Sequence, residues 1–287
     1  MAVYKRSYRG YAGSQTPEWS RFAIIPRYAY QDLFQSKIMT AFFVLCFVAP
    51  IVFLFLIYIA DNFASFARLV NEQGSTSPIA VNGEFFLVFL SIQGALAFIL
   101  TAFVGPSLIA NDLANRALPL YLCRPFSRAE YVVGKMSVLL ILLSLITWVP
   151  GLIIFGVHAS VMGGAWFLQN LWMAWALFIG SWIWILVISL LALALSAWIK
   201  WKIAAGALLL AVFFVAAGFG EAINGVLDVG WGKVINLMYL LETIWHHLFR
   251  TGNTDISQSS AWITLALICA GCLWLLYRKV RAFEVVR

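Results

Sequence analysis

Charge is what this sequence has least of. Asp, Glu, Lys and Arg together make up 11% of its 287 residues, less than half the share typical of soluble domains. A water-soluble core of this size would need a charged surface, so the deficit excludes an ordinary soluble globule. Cysteine is scarce too. Of the four, Cys46, Cys269 and Cys272 fall in apolar runs and Cys123 in a polar loop, so no disulfide framework is implied. "CAGC" at 269–272 has CxxC spacing, but no partner residue stands near it in a polar setting, and a structural reading prevails over a metal or redox one. A GxxxxGK[ST] phosphate loop is missing from the sequence. Nothing resembles a cleaved signal peptide: the first apolar run follows some forty polar and amphipathic residues and is long enough to span. Short alternating strands of the β-barrel kind are lacking as well.

What is there is hydrophobic, 63% of the chain. Uncharged runs recur at the ~20 residues that an α-helix needs to cross ~30 Å of hydrocarbon. They predict an all-α polytopic membrane protein with six transmembrane helices: Ile38 to Ala60, Phe85 to Ala110, Tyr131 to Val157, Leu171 to Ile199, Ile203 to Phe219 and Ala261 to Tyr277. Residues 1–37 then form an N-terminal region, 38–277 the six-span domain and 278–287 a tail.

The sign of the remaining charge sets an orientation. With both termini cytoplasmic, sixteen of the nineteen Lys and Arg lie inside. The outer side keeps Arg68, Lys233 and Arg250 beside seven of the twelve acids. This is a strong positive-inside bias. It accounts for the net charge of +7 through orientation and anionic headgroups, without invoking nucleic acid.

Ahead of the first span, Phe22, Ile25, Ala29 and Leu33 recur at helical spacing, with Arg21, Arg27, Asp32 and Lys37 at polar positions and Trp19, Tyr30 and Phe34 nearby. An interfacial amphipathic helix bent at Pro26 is expected. The alternative is a soluble lead-in that packs on a loop.

The polar interruption "NDLANRALPLYLCRPFSRAEYVVGK", 111–135, carries the most information. Asn111 or Asp112 is expected to cap a helix start, Pro119 interrupts regular helix, and Ser127 with Glu130 three residues on forms a capping box for the next span. Leu118, Leu120, Tyr121, Leu122 and Phe126 form an apolar knob that a solvated connector would not need and a partner surface would.

In this segment the chain resembles type-2 ABC transporter permeases. Their signature "RP-[VF]-SR-x-x-[YF]-x-x-GK" is matched by Arg124, Pro125, Phe126, Ser127, Arg128, Tyr131, Gly134 and Lys135, and "YQDLFQSK" is similar to the family's approach to the first span. The layout of six spans agrees along most of the chain, whereas "NRALPLYLC" departs from the Gly-Thr-rich, Glu-bearing helix usual before the signature. The resemblance implies a bacterial inner-membrane exporter subunit, itself without catalytic, cofactor or metal residues. Its partners would be a cytoplasmic ABC ATPase holding ATP and Mg, a second permease copy or a homologue, and the lipid bilayer. In that reading the coupling loop, 111–130, docks the ATPase through Leu118, Leu120, Tyr121 and Phe126, while Asp112, Arg116, Arg124, Arg128 and Glu130 set the register.

Between spans five and six, 220–260, Val234, Leu237, Leu241, Ile244 and Leu248 repeat at helical spacing, with Lys233, Asn236, Thr243, His247 and Arg250 mostly opposite. This predicts an amphipathic helix too short in apolar sequence to cross. The resemblance implies a re-entrant or interfacial cap here, with Glu221 and Asp228 as a possible outer gate; headgroup-level acids are the plainer reading.

Two other classes remain open. A haem- or metal-binding redox subunit would need ligands inside neighbouring spans, yet His158, His246 and His247 all fall at or beyond the outer boundary. A permease fold used as an anchor or scaffold for cofactor or envelope assembly is compatible with every motif. Trp166, Trp172, Trp175, Trp198 and Trp201 bracket the fourth span as an interfacial belt, and Trp182 and Trp184 lie deeper. Few ionisable groups lie within the spans, which disfavours a proton-coupled carrier.

Overall fold

The computed structural model describes residues 24–69, 80–115, 128–199, 201–227, 231–252 and 255–279. All regular structure among these residues is helical. In chain order it comprises α1 (Ile24–Gln35), α2 (Lys37–Leu45), α3 (Val48–Leu69), α4 (Gly83–Ala114), α5 (Arg128–Ile146), α6 (Trp148–Met162), α7 (Gly164–Trp198) and α8 (Lys202–Leu227). A 3-10 turn at Trp231–Val234 follows, then α9 (Leu237–Phe249) and α10 (Gln258–Lys279).

Six stretches are long and apolar enough to cross a membrane: Lys37–Asn62, Gly83–Ala114, Ala129–Met162, Gly164–Trp198, Lys202–Leu227 and Gln258–Lys279. Each overlaps one expected run. Their ends differ most in α7, which starts at Gly164 rather than Leu171, and in α8, which continues to Leu227 rather than stopping at Phe219. Hydropathy marks only the part of a helix that needs lipid, while backbone hydrogen bonding carries the helix on into polar sequence.

The core belongs to the middle of the chain. In the second, third and fourth spans 61%, 61% and 72% of the apolar window is buried within the chain, against 22%, 28% and 22% in the first, fifth and sixth. Helices α4 and α7 run side by side along this core. At Gly105 an added Cβ would sit 2.6 Å from the Ala192 Cβ, so only glycine permits this approach. Lower on the same seam the Ser196 hydroxyl donates to the Pro106 carbonyl at 2.9 Å and accepts from the Ala110 N–H at 3.0 Å, joining α7 to the backbone ladder of α4.

Two spans are interrupted, and proline accounts for both. Pro50 lacks the N–H that would bond the Cys46 carbonyl, so the first span breaks between α2 and α3. Gln93, fully buried on α4, donates its Nε2 to that carbonyl at 3.1 Å. Pro150 likewise stands in the first turn of α6, just past the break at Thr147. In α4, Pro106 frees the Ala102 carbonyl, and α8 closes over it: a Cβ at Gly206 would lie 2.7 Å from that oxygen. Non-helical backbone at membrane depth is tolerated where protein covers it.

Side-chain contacts define the two ends of the bundle. The basic end carries Lys37, Lys135, Lys202 and Lys279, and there Lys279 lies over the Trp198 ring at 4.9 Å. At the opposite end α9 lies across α4 and α7. Asn236 caps it, its Oδ1 accepting from Met238 N–H at 3.1 Å and Tyr239 N–H at 3.3 Å. Leu237, Leu241 and Ile244 are buried as the periodicity predicts, and so is Thr243, whose hydroxyl bonds back to the Tyr239 carbonyl at 2.8 Å instead of facing water.

Candidate functional site

The residues flanking the 111–130 segment converge at the basic end. Asn111 and Asp112 do not start a helix; they lie in the last turns of α4, which continues to Ala114 and is capped by Asn115. Helix α5 begins at Arg128, directly after Ser127, with Glu130 half-buried in its first turn. One turn in, the fully buried Tyr131 donates its hydroxyl to Asp112 Oδ2 at 2.7 Å. A turn later Lys135 Nζ reaches the same oxygen at 2.8 Å, with 9% and 15% of the two side chains exposed. The Lys135 ammonium also lies 5.7 Å from the Tyr131 ring centre. Two donors, one of them a cation, thus share one carboxylate oxygen and clamp α4 to α5 at the root of the intervening loop.

Of the other residues expected to dock a partner, Arg116, Leu118, Leu120, Tyr121, Arg124 and Phe126 lie outside the described residues, as do Cys123 and Ser127. Asp112 lies at the clamp with its carboxylate engaged inside the chain. The clamp joins Asp112 to Tyr131 and Lys135, two positions of the "SR-x-x-Y-x-x-GK" stretch, a pairing that spacing alone did not reveal.

Helix α1 rests on α5 beside this clamp. Ile25 is buried, Ala29 and Leu33 half-buried, and Arg27, Gln31 and Asp32 exposed. The Tyr30 hydroxyl donates to the Val138 carbonyl at 2.8 Å, and burial pushes its pKa up to about 12. Pro26 is buried on α1.

At the opposite end two polar clusters form. Asp61, at the end of the first span, meets His158 of α6 at 3.2 Å, both nearly buried, with the His158 ring edge-on to Trp166 at 4.6 Å. The second cluster lies around α9: Lys233 forms an ion pair with Asp255, and the Tyr239 hydroxyl donates to Asp255 Oδ2 at 3.2 Å. The Lys233 hydrogen bond holds the Asp255 carboxyl below its ordinary range. The same contact, reinforced by the negative field of Tyr239, Asp255 and Glu221, raises Lys233.

Glu221 itself is exposed on α8, and Asp228 lies outside the described residues. A cavity of about 490 Å³ opens nearby in the fold, between Asn82, Glu84, Trp172, His246, Phe249 and Arg250; Glu221 does not line it. Of the deeper tryptophans, Trp184 donates to the Gly94 carbonyl at 3.0 Å, whereas the buried Trp182 Nε1 has no hydrogen-bond partner among the described residues; Trp245 of α9 donates to the Gly180 carbonyl at 3.1 Å and meets the Trp184 ring edge-on at 6.0 Å.

The geometry defines a polytopic helical membrane protein whose second to fourth spans form a locked core and whose polar contacts gather at the two ends. No protein-family model matches the chain, and no curated protein matches it at a significant level.

Proposed function

We propose that this chain is the membrane-spanning half of an ATP-driven exporter of the ABC type, moving a hydrophobic or amphipathic compound outward with ATP hydrolysed on a separate subunit. The observation that carries the reading is the Asp112–Tyr131–Lys135 clamp at the root of the 111–130 loop. A loop bearing an apolar knob and anchored so firmly to two spans is a handle: force applied to it moves α4 and α5 together. The α4 seam with α7 passes that displacement into the core, and the sparsely buried first, fifth and sixth spans are the parts free to rearrange against it.

The cation distribution supports a cytoplasmic basic end, where an ATPase is found. A single six-span chain supplies half a pathway, so the working unit holds two copies or one copy with a homologue. Apolar burial sets the docking strength, because a buried Leu or Phe contributes roughly 1.5–3 kcal/mol and an exposed ion pair less than about 1 kcal/mol. Phe126→Ala or Leu120→Ala is therefore expected to weaken co-purification of the ATPase and uncouple its hydrolysis from transport, with a smaller effect of Arg124→Gln. Wild-type assembly and turnover in both apolar variants would reduce the loop to a connector and favour an anchoring role for the fold.

A further inference from the structure

A second feature of the basic end is independent of the exporter reading. A slot of about 610 Å³ lies where α1 and α2 meet α4 and α8, within the volume range of small-molecule sites. Its walls are apolar: Met39 from α2, Ile99 and Phe103 from α4, Ile203 and Leu210 from α8. Its mouth is polar, with Asp32, Ser36, Asn111 and Lys202. Along α4 it extends from Ile99 to Asn111, about 18 Å at ~1.5 Å per residue, which is close to one leaflet of a ~30 Å hydrocarbon layer.

The mouth has a definite charge pattern. Lys202 and Asp32 are exposed on different helices and line the same opening without an ion pair between them, so a cation and an anion face one space. Between α1 and α2, Ser36 holds the N-cap position, but its side chain makes no capping hydrogen bond. Ser36 lines the same opening as Lys202, so the uncapped start of α2 and an ammonium share one space. Free helix-start amides beside an ammonium suit a phosphate, and a carboxylate across the opening suits an ammonium.

We propose that this slot holds one zwitterionic glycerophospholipid of the phosphoethanolamine type, drawn from the leaflet at the basic end. One acyl chain fills the slot. The phosphate sits between Lys202 and the start of α2, and the amine faces Asp32. Phe55 of α3 and Phe214 of α8 are exposed apolar side chains that do not line this slot.

The test uses the full chain in vesicles of phosphatidylethanolamine and phosphatidylglycerol, with a trace of phosphatidylethanolamine carrying a photoreactive diazirine on its acyl chain. Labelling should concentrate on the peptides holding Phe103 and Leu210. Native mass spectrometry should find one retained phosphatidylethanolamine per chain. Ala207→Trp, which fills the slot from an exposed lining position, should abolish the concentrated labelling. Lys202→Gln should lower retention about tenfold, the loss of one charge-assisted hydrogen bond, and Asp32→Asn should erase the preference for phosphatidylethanolamine over phosphatidylglycerol. Because Lys202 and Asp32 are exposed, these two variants keep the test decisive if Ala207→Trp fails to fold. Labelling spread evenly over Phe55 and Phe214, retention indifferent to Lys202 and Asp32, or crosslinks joining Ile203 of two chains would each overturn the proposal, the last by giving the slot to a second copy.

Discussion

Asp112 and Lys135 form the clearest case of single residues holding elements in place. Each is mostly buried near the end of a membrane span, and Lys135 and Tyr131 meet on the same Asp112 oxygen. Removing one partner deprives the other of this contact, which costs up to about 3–5 kcal/mol for a fully buried pair and less here because both side chains keep some exposure. Asp112→Asn and Lys135→Met are each expected to lower the unfolding temperature in detergent, and the double variant to recover part of the loss. Equal and additive losses would show that the pair is not a clamp. The Lys233–Asp255 contact at the other end behaves differently because it is exposed. The Asp255 carboxyl is held below its ordinary range, so the contact stabilises the fold above that range and is lost as pH falls through the depressed value. Lys233, shifted upward, would release it only in strong alkali. Protection of the Met238 and Tyr239 amides, taken relative to their intrinsic exchange rates, should fall as pH drops through the depressed value, with no such step in Asp255→Asn.

At the scale of elements, the helix breaks were only half legible in the sequence. Pro50, Pro106 and Pro150 stand in plain view within apolar runs, and proline interrupts the ladder wherever it falls. What covers each freed carbonyl is a tertiary fact: Gln93 is an amide deep in the second span, and nothing in its spacing connects it to Cys46. A double-mutant cycle separates the two. Gln93→Leu should cost about 1–3 kcal/mol, the penalty for a buried unpaired carbonyl, less whatever is regained by removing its own unpartnered Oε1. In a Pro50→Ala background residue 50 regains an N–H for Cys46, and Gln93→Leu should then cost little. Equal costs in both backgrounds would mean that the Gln93 bond does not serve the break. Helix α9 was more legible, because Leu237, Leu241 and Ile244 repeat at 3.6-residue spacing. Thr243 was misassigned to the polar face, since a hydroxyl that bonds to its own helix can be buried as readily as an alanine.

For the whole molecule, the six spans followed directly from apolar run length, because an α-helix satisfies its backbone hydrogen bonds within a single apolar segment in lipid. Which spans would form the core did not follow, since every run is similarly apolar and only packing distinguishes α4, α5, α6 and α7 from the rest. The candidate site divided the same way. The loop and its flanking Tyr131 and Lys135 were visible as a polar interruption in an apolar chain, whereas the clamp with Asp112 depends on how two consecutive helices pack, and the Asp61–His158 pair and the slot beneath α1 on helices distant in sequence. The central claim is that the loop after the second span transmits the work of an ATPase. It is tested most directly by a photoreactive amino acid placed at Phe126 in the membrane-embedded chain, with the captured partner identified by mass spectrometry. Capture of a cytoplasmic protein bearing a GxxxxGK[ST] phosphate loop, lost on adding Leu120→Ala, is the predicted result; crosslinks only to lipid or to this chain itself would contradict it.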